Sequence, residues 1–333
     1  MKKHYLQSIS AYLLLLFGVF ACTDHEIPQE PIPEPTQFAV SNFASGLRAP
    51  IGMAIDEKGQ LWITEAGTGN NDGAIVMITP GGVKTTVVRG FISAASPEGG
   101  PEGLSHLYYE GGKLYVLHGL EGFLYTVDVS NFKEGDPRMA LNLIPKEDIG
   151  TYVRSKNLTD PLNSNAYSLT KGPDGNLYIA DAGANAIIKR DKMTKALSVF
   201  AKIPGPSESV DAVPTGIEFD GSNFLVSQLT GFPFAPTVAN VFKVTTDGTV
   251  SVYKSGFTTL THLTLTANKK PLLLHFADFA LPGGFAPFSG SILNENGTVL
   301  LGGLMMPTDI KRSGDRTFYV QSYALGTVQK LTY

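Results

Sequence analysis

The chain has one cysteine in 333 residues, Cys22. A body without further thiols excludes disulfides, thiolate catalysis and Cys-ligated zinc from whatever folds after it. Charge is sparse as well: Asp, Glu, Lys and Arg make up 17% of the residues, and the formal net charge is -4. No stretch gathers Lys and Arg into a stripe that would neutralise phosphates, so nucleic acid is excluded as a partner. No Ser/His/Asp order and no G-x-S-x-G elbow is visible, and catalytic residues therefore stay unassigned. Trp62 is the sole tryptophan, and its alignment with Tyr115, Tyr178 and Tyr319 in repeated strands predicts a packing role between structural units.

What the chain does have begins at its N-terminus. Lys2 and Lys3 precede an apolar run over residues 11–20, too short to span a bilayer and of the length of a secretory signal core. Cys22 closes the string Val19-Phe20-Ala21-Cys22, which resembles a bacterial lipobox. That resemblance implies cleavage before Cys22 and a diacylglyceryl group on its sulfur. Residues 1–21 are thus expected to be a signal peptide. Residues 22–37 are expected to be a stiff tether, because TDHEIPQEPIPEPTQ is rich in proline and acid and has no apolar period. The expected partner is a membrane, held through the lipid on Cys22. Asp24 and Glu26 resemble surface-export signals, so the expected location is the cell envelope, on the periplasmic face of the outer membrane or at the surface.

Residues 174–191, DGNLYIADAGANAIIKRD, read as a β-hairpin. Asp174-Gly175 supplies a turn, Leu177, Ile179 and Asp181 alternate with Tyr178 and Ala180, and Ile187-Ile188-Lys189-Arg190 begins the return strand. The unit recurs as KGQLWITEAG, GGKLYVLHG, SNFLVSQ, KPLLLHF and DRTFYVQSY, six copies in all. Each copy follows a short strand that opens at a Pro, Gly or Asn turn. A β-branched fourth strand comes after it, as in Thr85-Thr86-Val87-Val88. Six units of four strands predict an all-β fold, a six-bladed β-propeller. The sixth unit lacks its fourth strand. Residues 38–47, FAVSNFASGL, read like residues 250–257, VSVYKSGF, the fourth strand of unit four. The N-terminal strand is therefore expected to complete the last blade and remove two open edges. Residues 38–333 are expected to form one monomeric propeller domain. In the long connection over residues 131–163, Pro145-Lys146-Glu147-Asp148 is expected to cap a helical turn ahead of Tyr152.

In a propeller the inner strand of each blade lines a channel, and one face is built by loops that start the inner strands and leave the second strands. Second strands end at Glu65, His118, Asp181, Gln228 and His275, with Ser322 in the last unit; inner strands start at Glu102, Asn165, Thr215, His262 and Thr308. The expected ligand-binding set is Glu65, Glu102, His118, Asn165, Asp181, Gln228, His262 and His275, facing a small molecule or a protein. Carboxylates beside an Asn and neutral imidazoles suit a divalent cation, with calcium the expected metal and Glu65, Asn165 and Asp181 its ligands. On this reading, removing Glu65 and Asp181 leaves the fold intact or relieves repulsion between them.

The strings APIGMAIDEKGQLWITEAGTG, SNAYSLTKGPDGNLYIADAGANAIIK, VPTGIEFDGSNFLVSQLTGFPFAPTVANVFKV and YKSGFTTLTHLTL resemble the ScyD/ScyE family, relatives of the NHL and gluconolactonase-like six-bladed propellers. QLTGFPF is the most specific of these matches, and the resemblance runs from about residue 43 to the C-terminus. It implies a secreted propeller whose activity is not established. The wider superfamily includes calcium-dependent lactonases that hold their metal with a Glu from the first inner strand, Asn residues and an Asp. Asn165, ahead of a Pro-Asp-Gly turn, matches one such Asn, whereas Pro50-Ile51-Gly52 offers no Glu. Two functions follow. The first is a non-catalytic binding module that presents its loop face, with the aromatic loops Phe232-Pro233-Phe234 and Phe285-Ala286-Pro287-Phe288, to a ligand or partner. The alternative is a metal (calcium)-dependent lactonase or esterase of the gluconolactonase type.

Overall fold

The computed structural model describes residues 31–96 and 100–333. The signal, Cys22 and the tether as far as residue 30 lie outside the described residues. Residues Pro33–Tyr333 form one compact unit built of six four-stranded antiparallel sheets. Their inner strands are Pro50–Ile55, Leu104–Glu110, Ala166–Lys171, Pro214–Phe219, Leu260–Leu265 and Pro307–Gly314, for blades 1 to 6 in order. Each inner strand neighbours the next, and the sixth neighbours the first, so the sheets close into a propeller around a central channel.

Burial is deepest in the second strands and lowest in the outer ones. Four of the six second strands are buried along their whole length: Leu61–Glu65, Leu177–Asp181, Phe224–Gln228 and Pro271–His275. Outer strands such as Val250–Phe257 and Ala39–Ala44 are largely exposed, Ser251, Ser255, Ser41 and Asn42 in water together with Val252 and Val40. The apolar side chains sort into six clusters, one at each blade seam. Trp62, Ile75 and Met77 of blade 1 meet Leu107, Val116 and Val127 of blade 2, and Tyr319 and Val328 of blade 6 meet Met53, Leu61 and Ile63 of blade 1. Trp62 is 1% exposed, lies edge-on to Phe132 at 6.4 Å, and donates its indole N–H to Asp56 Oδ2 at 3.1 Å. Truncating a ring so placed typically costs about 3–5 kcal/mol.

The propeller is closed as the repeats imply. Ala39–Ala44 is the outer strand of blade 6 and pairs with Thr327–Thr332, Ala39 facing Thr332 and Val40 facing Leu331. Blade 2 departs from expectation. Its outer strand is Lys146–Asp148, three charged residues where a β-branched strand is expected, and the helical turn is Gly150–Arg154, which contains Tyr152. Asp148 does cap that turn, accepting the Thr151 N–H at 2.9 Å. The charged strand is tolerated because Arg190 of blade 3 clamps Glu147 with two bonds, 3.0 and 2.7 Å.

Candidate functional site

Every inner strand carries a bulge just inside its first pair with the second strand. A bulge puts an extra residue on one strand and re-aims the side chains around it. Aligned on that first pair, the six inner strands form tiers. The first tier is Ile51, Ser105, Tyr167, Thr215, Thr261 and Thr308. The second is Gly52, His106, Ser168, Gly216, His262 and Asp309. The residue after that is always apolar and belongs to one of the six seam clusters: Met53, Leu107, Leu169, Ile217, Leu263 and Ile310.

The first two tiers hold the ring together. Thr64 Oγ1 donates to Ser105 O at 2.6 Å, Ser168 Oγ to Thr215 O, and Thr215 Oγ1 to Leu260 O at 2.7 Å. Thr261 Oγ1 donates to Pro307 O at 2.9 Å and Thr308 Oγ1 to Pro50 O at 2.8 Å. The remaining seam is spanned by His106, whose Nδ1 lies 3.1 Å from Tyr167 O. Glycine at positions 52 and 216 lets the following strand approach: a Cβ on Gly52 would overlap His106 Cα, and one on Gly216 would sit 2.9 Å from His262 Cα.

This close approach gathers a buried ionisable cluster on the axis. The His106 and His262 rings stack with centroids 4.6 Å apart and planes 11° from parallel. His262 Nε2 is 3.1 Å from Asp309 Oδ1, and His106 Nε2 is 3.7 Å from Asp309 Oδ2. Two residues on, Lys311 reaches back: its Nζ is 2.9 Å from His262 Nε2, 3.7 Å from Asp309 Oδ1 and 3.4 Å from Glu218 Oε1. Burial, with the Lys311 charge behind it, pushes His106 down to about 3 and His262 well below the usual imidazole range, so both rings are neutral. Burial pushes Asp309 up to about 7 against the pull of Lys311 and the Met53 N–H. Burial opposes the Lys311 ammonium, but Asp309 and Glu218 outweigh it and raise its pKa.

Above the cluster the channel opens into a cup of about 420 Å3. Its floor is made by Ile51, Tyr167, Thr261 and Thr308 of the first tier. Its wall comes from the loops that leave the second strands of blades 4 and 5: Phe232, Phe234, Phe276 and Phe285, with Tyr323 from blade 6. The rings pack on one another, Phe234–Phe285 at 5.2 Å and Phe276–Phe285 at 5.0 Å, so the wall is formed before any ligand arrives. Among the described residues, none that lines the cup is acidic or basic. Tyr323 donates its hydroxyl to Pro101 O at 2.7 Å, and burial pushes its pKa up to about 12.

The residues singled out from the sequence are distributed differently. His262 alone of the eight enters the axial cluster. Those at the ends of second strands serve the loops of their own blades. Asp181 accepts the Asn165 N–H at 2.8 Å, the Ala184 N–H at 3.0 Å and the Ser164 hydroxyl at 2.7 Å. Glu65 accepts the Arg48 N–H at 3.1 Å with Lys84 Nζ at 3.8 Å. His118 accepts the Glu121 N–H at 3.2 Å. Gln228 bridges Pro204 O and the Asn240 N–H, and His275 lies 3.4 Å from Ser291 Oγ. Asn165 Oδ1 rests against Gly119 of blade 2, and Glu102 sits in the ribbon that pairs Ala94–Ala95 with Pro101–Glu102, next to Tyr323. Glu65 and Asp181 stand in non-adjacent blades; Glu65 Oε1 and both oxygens of Asp181 are taken up by donors of their own loops.

No protein-family model matches the chain, and neither does any curated protein. Solved structures do. A catalytically inactive virginiamycin B lyase from Staphylococcus aureus, solved with quinupristin, is 14% identical with a TM-score of 0.52 over 89% of this chain and 100% of its own. A protein of unknown function from Bacteroides thetaiotaomicron is 13% identical, TM-score 0.59, over 89% of this chain and 76% of its own. A gluconolactonase from Xanthomonas campestris is 9% identical, TM-score 0.56, over 89% of each. By fold, the chain is thus a six-bladed propeller similar to gluconolactonases and virginiamycin B lyases.

Proposed function

We propose that the chain is a secreted, lipid-anchored binding module of the ScyD/ScyE kind, whose channel mouth takes a small, uncharged, ring-bearing ligand. The observation that carries this reading is the cup: about 420 Å3, walled by five aromatic rings, with no acidic or basic side chain among the described residues of its lining. That size is in the usual range for a small-molecule pocket. Phe232 is 62% exposed at the rim, an apolar surface that a bound ring would cover. In this reading Cys22 carries the lipid and holds a monomeric propeller at the outer membrane, on its periplasmic face or at the cell surface. It rests there on the string Val19-Phe20-Ala21-Cys22.

The gluconolactonase and lyase neighbours motivate the alternative of a hydrolase or lyase acting on a ligand in the same cup. Binding is favoured because the groups that would act as acid or base are shut away from it. His106 and His262 side chains are 2% exposed and Asp309 0%, beneath a floor that includes Tyr167 and Thr308.

The test uses N-phenyl-naphthylamine, an uncharged aromatic fluorophore, titrated into the protein. Saturable binding is expected, and Phe234→Ala combined with Phe285→Ala should weaken it at least about tenfold, as loss of anchoring rings does. Unchanged affinity in that double variant would move the ligand site elsewhere.

A further inference from the structure

The axis of the channel holds more lone pairs than cations. Of its two ring nitrogens, His106 makes the shorter contact through Nδ1, with Tyr167 O at 3.1 Å, and a carbonyl can only accept. Nδ1 therefore carries the proton. Nε2 is left with a lone pair that faces Thr308 O at 3.3 Å and Asp309 Oδ2 at 3.7 Å, electron-rich atoms all. His262 Nε2 accepts from the Lys311 ammonium at 2.9 Å, so its one lone pair is held by that cation and no N–H stands between it and Asp309 Oδ1, 3.1 Å away. Among the described residues, Asp309 Oδ1 and His262 Nδ1 are buried without a hydrogen-bond partner. Such an arrangement is costly unless positive charge lies within it.

We propose that His106, His262 and Asp309 bind a borderline divalent cation of the zinc or cobalt kind, and that the Lys311 ammonium stands in its place when the metal is absent. One ligand atom from each of the three residues lies within 4.8 Å of the other two. Two imidazoles and a carboxylate are a donor set for a tetrahedral site with one position open, and too nitrogen-rich for calcium. The supporting shell is in place. Tyr167 O orients His106, and the Met53 N–H, donating at 2.7 Å to Asp309 Oδ2, turns Oδ1 toward the imidazoles. Entry runs from the face opposite the cup, past the Lys311 and Glu218 side chains, 19% and 24% exposed. Glu218 would attract the cation and keep a partner for the displaced ammonium. The site is separate from the cup and does not depend on what the cup holds.

The experiment takes the full chain after chelator treatment and titrates it with Co2+ and Zn2+ alone. The expected result is a single Co2+ per chain with visible bands of a low-coordinate nitrogen and oxygen site, displaced by Zn2+ and not by Ca2+. His262→Gln and Asp309→Asn should each weaken binding at least about a hundredfold, since removing a ligand exceeds the 10–100-fold loss seen for supporting residues. Lys311→Met keeps all three ligands and removes the competing charge, so it should tighten binding about tenfold. It carries the test even where a ligand variant fails to fold. Absence of stoichiometric binding in both the natural chain and Lys311→Met would overturn the proposal. So would undiminished binding in a folded Asp309→Asn protein.

Discussion

Thr308 Oγ1 donates to Pro50 O at 2.8 Å, joining the last blade to the first at the level of the channel. Further out, the N-terminal segment serves both seams of blade 6. At the seam with blade 5, Phe38, 4% exposed, packs edge-on against Phe318 at 5.6 Å and Tyr333 at 5.8 Å; at the seam with blade 1, the Leu47 N–H donates to Gly326 O at 3.0 Å.

Deleting residues 38–47 therefore strips the outer strand of blade 6 together with two buried apolar anchors. The melting temperature should fall by roughly 10 °C or more, a loss of several kcal/mol in a domain of this size. Trp62 fluorescence reports it, because the indole sits at the seam between blades 1 and 2, away from the deletion. If Trp62 and far-ultraviolet dichroism lose structure together, the ring unfolds as one body. Glu34→Ala is the control: its Oε1 accepts from Thr266 Oγ1 at 3.1 Å and Asn268 Nδ2 at 2.7 Å on an exposed surface, so its loss should cost under about 1 kcal/mol. A deletion no worse than Glu34→Ala would end the closure argument.

Blade number, strand order and closure were legible because each blade repeats a period-two pattern and a turn signal, and Trp62 with its aligned tyrosines marked the seams. The aromatic loops at Phe232 and Phe285 were legible as well, since clustered rings in a polar connection stand out. The axial cluster was half hidden. His262 was found at the start of a strand, but His106, Asp309, Lys311 and Glu218 were not. They sit inside inner strands beyond a bulge, and a bulge shifts which residues face the channel without leaving a mark in the alternation. The signal that could have found them is the column two residues after the first paired position, where Gly52, His106, Ser168, Gly216, His262 and Asp309 stand in place of the apolar residues of the next column. Polar residues at the ends of second strands bond within their own blades, a role that spacing alone does not separate from one at the channel.

Acid sensitivity follows from one of these loop residues. Burial pushes the His118 imidazole below its ordinary 6.5, against the pull of Glu121. The folded protein thus resists a proton that the unfolded chain accepts. The stability tied to His118 is fully present above pH 6.5 and is lost as pH falls through 6.5 toward the folded value. The slope is at most about 1.4 kcal/mol per pH unit. In His118→Gln the amide oxygen can still accept the Glu121 N–H, but the titration is gone. Urea unfolding at pH 7.5 and pH 5 should show a smaller acid loss in the variant than in the natural chain; equal losses would assign the sensitivity to other groups.

The last prediction separates a loop-capping role for Asp181 from an ion-binding one. Asp181 is fully buried, Oδ1 holding the Asn165 and Ala184 N–H groups and Oδ2 the Ser164 hydroxyl. Burial raises its pKa from 3.8, so the charge itself is a cost that the three bonds offset. Asp181→Ala leaves three donors, the Asn165 and Ala184 N–H groups and the Ser164 hydroxyl, without their acceptor and should destabilise the domain by roughly 2–5 kcal/mol, contrary to the expectation that removing Glu65 and Asp181 leaves the fold intact. Glu65→Ala removes one such bond and should cost about 1–2 kcal/mol. Asp181→Asn is the decisive change. Its oxygen can take both N–H groups while its amide donates to Ser164 Oγ, which is able to accept, so all three bonds survive without the buried charge. Thermal melting should place Asp181→Asn within about 1 kcal/mol of the natural chain and well above Asp181→Ala. If Asn proves as damaging as Ala, the negative charge is what the position requires, and a cation bound beside Asp181 becomes the explanation to pursue.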